Sequence, residues 1–349
     1  MRSKKPSLFP KKQNSHSPLK TCCPAPTAVI DIGTNTIRLL IGCISDGGII
    51  RVASDRVVTR LGKDILKTGR LDPNSIKKSI SSIVKFKGLC EKYNVQKIIA
   101  IGTSALREAE NSNEFLEDVK KTTGLNIEII SGEKEAELTF RGIIGDDALF
   151  GSASLRASMI VDIGGGSTEW IIYKKARGEG QRVNRQKNSE LKMGSIPIGA
   201  VKLFETFIKH DPPAPEELQD MRNYIFDEFS QAFEKNSLKD YLHCSLFLIA
   251  TGGTATTIAA IDMGIDGYDT NKIHRHKISL PTLKAIYEKL TAVSADKRCK
   301  IKGLEIERTD IIIPGTIILL TLLEVLGVKE IIISDYGLLE GALISYHVL

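Results

Sequence analysis

From Ala28 onward the chain alternates short runs of β-branched and apolar residues with longer segments whose apolar positions recur every three or four residues. The short runs lie at 28–32, 97–101, 126–130, 158–163, 245–250 and 329–333 and read as strands. Between them, "DPNSIKKSISSIVKFKGLCEKY" predicts a helix with Asp72 as N-cap, Pro73 as first helical residue, and Ile76, Ile80, Ile83 and Val84 on one apolar face. This alternation predicts an α/β fold. The most apolar stretch, "IIIPGTIILLTLLEVL" at 311–326, is shorter than the ~20 residues a bilayer needs. Pro314, Gly315 and Glu324 also interrupt it, so it predicts a helix buried between layers and no membrane contact.

An internal repeat organises the chain. Asp31-Ile32-Gly33-Thr34-Asn35-Thr36 and Asp162-Ile163-Gly164-Gly165-Gly166-Ser167-Thr168 each follow a strand and precede another run of β-formers, and their aspartates are 131 positions apart. That spacing is about one domain length, which predicts two related α/β domains facing a shared cleft.

Charge then narrows the partners. Arg2, Lys4, Lys5, Lys11, Lys12 and Lys20 sit in the first 26 residues with no acid, and account for the whole formal net charge of +6. The body is neutral, which argues against a nucleic-acid binder. The Pro-, Ser- and Lys-rich segment 1–26 reads as a disordered basic tail without the apolar stretch of a secretory signal. Six scattered cysteines form neither a metal spacing nor a disulfide framework, which places the chain in a reducing cytoplasm.

Glycines directly after a strand let backbone N–H groups approach a ligand closely, and phosphate is the commonest such ligand. A dinucleotide turn would put a third glycine where Glu169 stands, and a P-loop needs Gly-Lys-Ser/Thr, which is absent. What remains is strand, phosphate-holding turn, strand. The strand-end aspartates suit a divalent cation, and Thr34, Thr36, Ser167 and Thr168 add hydroxyl donors. One such turn alone could be a plain hairpin capped by its Asp; two copies a domain apart favour a phosphate cleft.

The chain resembles the exopolyphosphatase / guanosine pentaphosphate phosphohydrolase (Ppx/GppA) phosphatase family of the actin, Hsp70 and sugar-kinase superfamily. The resemblance rests on "AVIDIGTNTIRLLI", "TRLGKDILKTGRL", "ALREAEN", "IEIISGEKEAEL", "VDIGGGSTEW", "GSIPIGAVKL", "ATGGT" and "IKGLEIERTDIIIPG", which spread over the whole body. It implies two actin-like (ribonuclease H-like) domains at 27–140 and 141–349 with a phosphate-binding cleft between them, the last helix (about 336–349) packing back on the first. It also implies a cytoplasmic homodimer that uses Mg2+ or Mn2+ to release terminal orthophosphate from polyphosphate or guanosine pentaphosphate.

Residue by residue, Glu135 matches the family's catalytic glutamate; on sequence alone Glu133, Glu135 and Glu137 are one solvated helix face. Arg107, in the pattern Arg-x-Ala-x-Asn with Asn111, matches a residue that stabilises the transferred phosphoryl group, whereas the residues by themselves favour a helix-surface arginine paired with Glu110 or Glu114. Asp162 and Glu169 match the metal-binding acids, with Asp31 a second candidate. Gly33, Thr34, Asn35, Thr36, Gly164, Gly165, Gly166, Ser167 and Thr168 would hold phosphate, together with Gly252, Gly253 and Thr254. Arg38, Lys202 and Arg308 could line a track for a polyanion. His274 and His276 read as a polar loop, and His210-Asp211 as the turn before a helix.

Two departures stand out. The family's closing motif reads Gly-x-Arg-Glu-Gly, whereas here Leu339 takes the arginine's place; longer members carry a helical C-terminal domain, and this chain resembles the short, two-domain form. A small-molecule kinase of the same superfamily, or a sensor that binds polyphosphate or an alarmone without turnover, are the alternatives.

Overall fold

In a computed structural model, the structure describes residues 26–45, 48–145, 157–174, 190–238, 246–265 and 268–347. The basic tail, to residue 25, lies outside the described residues. The strands are β1 (Thr27–Ile32), β2 (Thr36–Ser45), β3 (Gly48–Val58), β4 (Lys97–Gly102), β5 (Ile127–Ile129), β6 (Ala157–Ile163), β7 (Thr168–Lys174), β8 (Glu190–Ile196), β9 (Phe247–Thr251), β10 (Lys277–Ser279) and β11 (Glu330–Ile333). Helices longer than four residues are α1 (Pro73–Lys92), α2 (Ser104–Glu108), α3 (Ser112–Thr123), α4 (Gly132–Ile144), α5 (Ala200–Phe207), α6 (Pro215–Lys235), α7 (Gly252–Met263), α8 (Leu280–Thr291), α9 (Ile312–Leu326) and α10 (Leu338–His347).

The first sheet runs β3-β2-β1-β4-β5 and the second β10-β11-β9-β6-β7-β8. In each, three consecutive strands pair antiparallel and two later strands add in parallel beside the first of them. The two sheets therefore repeat one actin-like order, with β10 an added edge, and this is the α/β architecture that the repeat predicts.

All six strand runs read from the sequence form strands. Two of the strands outside that set have a polar side: β3 carries Arg51, Asp55 and Arg56, and β8 opens with Glu190 and Lys192, whereas β2 and β7 are buried along most of their length. A continuous apolar run marks a strand buried on both faces, whereas an outer strand has one wet face. Helix α1 begins as read, the Asp72 side chain accepting from Ser75 N at 2.9 Å with Pro73 first. Val84 is the exception: it is 45% exposed, and Ile83, Phe86 and Cys90 form the buried face instead.

Helix α9 lies buried, and among the described residues no helix is long and apolar enough to cross a membrane. Cys43 on β2 is disulfide-bonded, whereas Cys90 and Cys299 are free. Spacing does not reveal such a bond, because a disulfide requires proximity in the fold rather than in the chain.

Two helices tie the sheets together. Helix α4 packs Ala136, Phe140 and Ile143 against Ile160, Ile171 and Ile249 of the second sheet. Helix α10 lays Leu338, Ala342 and Leu343 on Val29, Leu40 and Ile101 of the first. They cross where a Cβ on Gly142 would strike the Gly337 carbonyl and one on Gly341 would strike the Leu138 carbonyl, so the crossing needs glycine on both helices.

Candidate active site

Both repeat turns close the same way. Gly33 N donates to the Thr36 carbonyl at 3.1 Å, and Gly164 N to the Ser167 carbonyl at 3.0 Å. The antiparallel register then sets Asp31 opposite Arg38 and Asp162 opposite Glu169. Turn I is anchored by Thr59 N and Arg60 N on the Asn35 carbonyl (3.0 and 2.9 Å) and Gly62 N on that of Thr34 (2.9 Å), which is the work of "TRLG". Turn II is anchored by the start of α5, with Ala200 N on the Gly164 carbonyl (3.0 Å) and Val201 N on that of Gly165 (2.9 Å).

A cleft of about 470 Å³ separates the turns. Residues 33–36, 164–167 and 252–254 line it, together with Asp31, Asp162 and Glu135. Thr168 and Glu169 stand behind this wall. Thr168 spends its hydroxyl on the Ile198 carbonyl at 2.7 Å, and Ser195 Oγ donates to Glu169 Oε1 at 2.8 Å.

The three glutamates of α4 separate cleanly. Glu137 pairs with Lys134 and Arg141 on the surface. Glu133, at the first turn, has its carboxyl held below the usual range, chiefly by backbone N–H donation. Glu135 alone is buried at the cleft. Arg107 reaches it from the last turn of α2: its Nη1 donates to Glu135 Oε2 at 2.8 Å and to the Ile130 carbonyl at 2.9 Å, while Nη2 lies 3.5 Å from Ser167 Oγ. The pairing of Arg107 with Glu110 or Glu114 does not occur, and Glu114 takes Arg70 instead. Asn111 serves the fold, bonding both backbone groups of Leu71 at 2.8 and 3.3 Å.

Burial dominates the electrostatics. It pushes the Glu135 carboxyl up to about 7, against the lowering by Arg107, with Asp31 and Asp162 adding to the rise. Glu169 is raised well above its ordinary value by burial and then by Glu135 and Asp162, and Asp162 is raised by burial although Arg38 opposes it. In turn I, burial disfavours the Arg38 cation, but Asp31 and Asp162 hold its pKa above the ordinary value. Arg38 Nη2 lies 2.6 Å from Asp31 Oδ2.

The third turn closes the far end. Gly252 has φ +86°, and a Cβ there would strike Asp162 Oδ1, while one on Gly253 would strike the Arg308 guanidinium. Arg308 Nε donates to Glu305 Oε2 at 3.1 Å, and Arg56 from β3 takes the other oxygen of that carboxylate. Arg38 and Arg308 therefore line the cleft. Lys202 does not: it pairs with Glu108 at 2.8 Å, outside the lining. Leu339 does line the cleft. His276 pairs with Asp262, His274 accepts from Asp335 N at 3.1 Å, and His210 pairs with Glu217 while Asp211 binds Arg298.

The sequence reading missed Arg51, Arg56, Ser195 and Thr139, the last 3.4 Å from Asp162 Oδ2. Arg56 stands opposite Arg38 in the β2–β3 register, a pairing that only the folded sheet reveals.

Among the described residues, no group of three His, Cys, Asp or Glu side chains converges to hold a metal. The donors present nevertheless suit a hard divalent cation. Asp31 Oδ1 is buried without a hydrogen-bond partner, and Asp162 and Glu169 stand opposite each other in the β6–β7 register. Mg2+ and Mn2+ are commonly held by one or two carboxylates, with substrate phosphates completing the shell.

The duplicated sheets and opposed turns define an actin-like α/β protein with its cleft between the repeats. The Ppx/GppA phosphatase family matches residues 40–347, and the chain belongs to it. Exopolyphosphatase 2 of Mycobacterium tuberculosis is 28% identical over 91% of this chain and 97% of its own length. A bifunctional 3-dehydroquinate synthase/phosphatase of Fusobacterium nucleatum is 32% identical over 91% of this chain, which spans only 46% of that protein. Among solved structures, the PPX-GPPA enzyme of Aquifex aeolicus superposes with a TM-score of 0.71 at 32% identity over 92% of this chain and 99% of its own. An exopolyphosphatase from Cytophaga hutchinsonii gives 0.76 at 28% identity over 92% and 97%.

Proposed function

We propose that this protein hydrolyses a terminal phosphoanhydride, releasing orthophosphate from inorganic polyphosphate or guanosine pentaphosphate. The observation that carries the reading is Glu135: a buried carboxyl at the cleft, raised to about 7 and tethered by an arginine that also reaches turn II. A base poised near the working pH and a guanidinium beside the transferred group are what the chemistry asks of side chains.

The two glycine turns bind the terminal phosphates through backbone N–H groups. Glu135 accepts a proton from water as its oxygen attacks the terminal phosphorus. The bond from that phosphorus to the bridging oxygen breaks, and the bridging oxygen leaves with the shortened chain. Arg107 stabilises charge on the transferring oxygens and holds Glu135 in place. Asp162, with Glu169 behind it and Asp31 opposite, would hold Mg2+ or Mn2+, which neutralises phosphate charge when bound.

The test is phosphate release by the purified protein with magnesium or manganese, offered each substrate in parallel. We expect release from at least one, and a loss of about 10²–10⁴-fold in kcat for Glu135→Gln. Tight binding without release from either substrate would overturn the hydrolase in favour of a sensor.

A further inference from the structure

Three arginines on or just after β3 reach across to the second half: Arg51 to Asp335, Arg56 to Glu305 and Arg60 to Asp310. Arg51 is the one that meets the start of α10. Its Nη1 lies 2.6 Å from Asp335 Oδ2, and its Nη2 donates to the Asp335 carbonyl at 2.9 Å and lies 2.7 Å from Glu340 Oε1. The guanidinium also sits 4.4 Å from the centre of the Tyr336 ring. The other oxygen of Glu340 accepts from Gly337 N at 2.9 Å, so one cation and one backbone N–H fix the first turn of the helix.

This wall belongs to the cleft. Arg51, Asp335, Leu339 and Glu340 all line it, and the two carboxylates are 6% and 5% exposed. Burial pushes the Asp335 carboxyl up to about 6 even with Arg51 against it, a measure of how poorly the wall tolerates charge. Position 339, which lines the same wall, is a leucine and offers no cation. The wall is also coupled to the base. Helix α10 touches α4 backbone to backbone at Gly142 and at Leu138, and Leu138 is one helical turn after Glu135.

We infer that Arg51 is a positioning residue of the cleft, which neutralises Asp335 and Glu340 and clamps the start of α10 so that this wall accepts a polyanion. Without it, two buried carboxylates face the incoming phosphates. The inference deepens the proposed hydrolase reading and rests on it for the kinetic arm alone. Repulsion between fixed charges acts on ground state and transition state alike, so it appears in KM more than in kcat.

The experiment compares the full-length protein with Arg51→Met, Arg51→Lys, and Arg51→Met combined with Leu339→Arg, which returns a guanidinium to the same wall. With polyphosphate as substrate, Arg51→Met should raise KM by about tenfold with kcat within about threefold. Arg51→Lys should fall between, and the double variant should return most of the KM. In parallel, binding of inorganic polyphosphate is measured in the Glu135→Gln background with and without Arg51→Met, which reads the same loss whether or not the protein turns over. An unchanged KM and affinity in Arg51→Met would overturn the inference. So would equal losses of kcat and thermal midpoint that Leu339→Arg does not restore, since those would mark a purely structural arginine.

Discussion

Turn I and turn II are the same backbone device built twice. The hydrogen bond from Gly33 to Thr36 recurs from Gly164 to Ser167, and each strand-end aspartate meets its cross-strand partner at the same register position. The partner is what differs. Asp31 faces Arg38, which neutralises it, whereas Asp162 faces Glu169, and both of those carboxyls are pushed up chiefly by burial, Glu169 further by Glu135 and Asp162, and Asp162 further by Asp31. One half of the molecule therefore supplies its own cation at the turn, and the other half gathers acids around Glu135. Duplication fixed the scaffold, and a single cross-strand position assigns the two turns opposite electrostatic tasks.

The sharpest way to break this comparison is to neutralise each aspartate in turn. If turn II carries the cation, Asp162→Asn should lower kcat by about 10²–10³-fold. Asp31→Asn removes an acid whose Oδ2 already has a guanidinium, so that only Oδ1 is left for the ion, and should lower kcat by less than about tenfold. Steady-state kinetics at saturating magnesium decides the matter. Equal kcat losses would mean that both aspartates serve one bridging ion and that the asymmetry is only apparent.

A smaller effect is expected from the arginine that joins the base to turn II. Arg107 lowers the Glu135 carboxyl, opposing burial, so Arg107→Met should move Glu135 further above about 7. Glu135 must be ionised to accept a proton, and activity should rise with pH through that value. In the variant the rising limb of the kcat profile should shift to higher pH by about one unit, together with a lower plateau. A profile that keeps its position would detach the limb from Glu135.

The legibility of these parts in the sequence follows their physics. The turns could be read because glycine after a buried strand has few structural excuses and the two copies keep an offset of 131. Both long-range consequences escaped. Nothing along the chain says which of Glu133, Glu135 and Glu137 faces the cleft, because the answer depends on α4 being squeezed between the second sheet and α10. Arg107 looked like a surface arginine since its partner stands 28 positions away. Arg51 and Arg56 sit on a strand whose polar side hid it, and their charges acquire meaning only opposite Asp335 and Glu305. Val84 and Lys202 erred the other way, each taking a local pattern at face value where the tertiary partner decides.

The smallest expected effect bears on stability rather than rate, and it tests whether a divalent cation binds at turn II. Glu169 is buried and its folded-state pKa is raised, so the folded protein binds a proton that the unfolded chain releases near the ordinary carboxylate pKa. Its contribution is favourable at and below that value and is lost as pH rises toward the folded-state pKa. The slope can reach about 1.4 kcal/mol per pH unit. Glu169→Gln keeps the shape and the Ser195 contact but does not titrate. Thermal midpoints of the metal-free proteins should therefore agree near pH 4.5 and separate toward pH 8, with the variant the more stable. Added magnesium should narrow the gap by stabilising the wild type alone, because an ionised Asp162 and Glu169 pair gains a partner there. Curves that stay parallel from pH 4.5 to 8, or a gap indifferent to magnesium, would place the cation elsewhere in the cleft and leave Glu169 as a neutral, hydrogen-bonded part of the β7 wall.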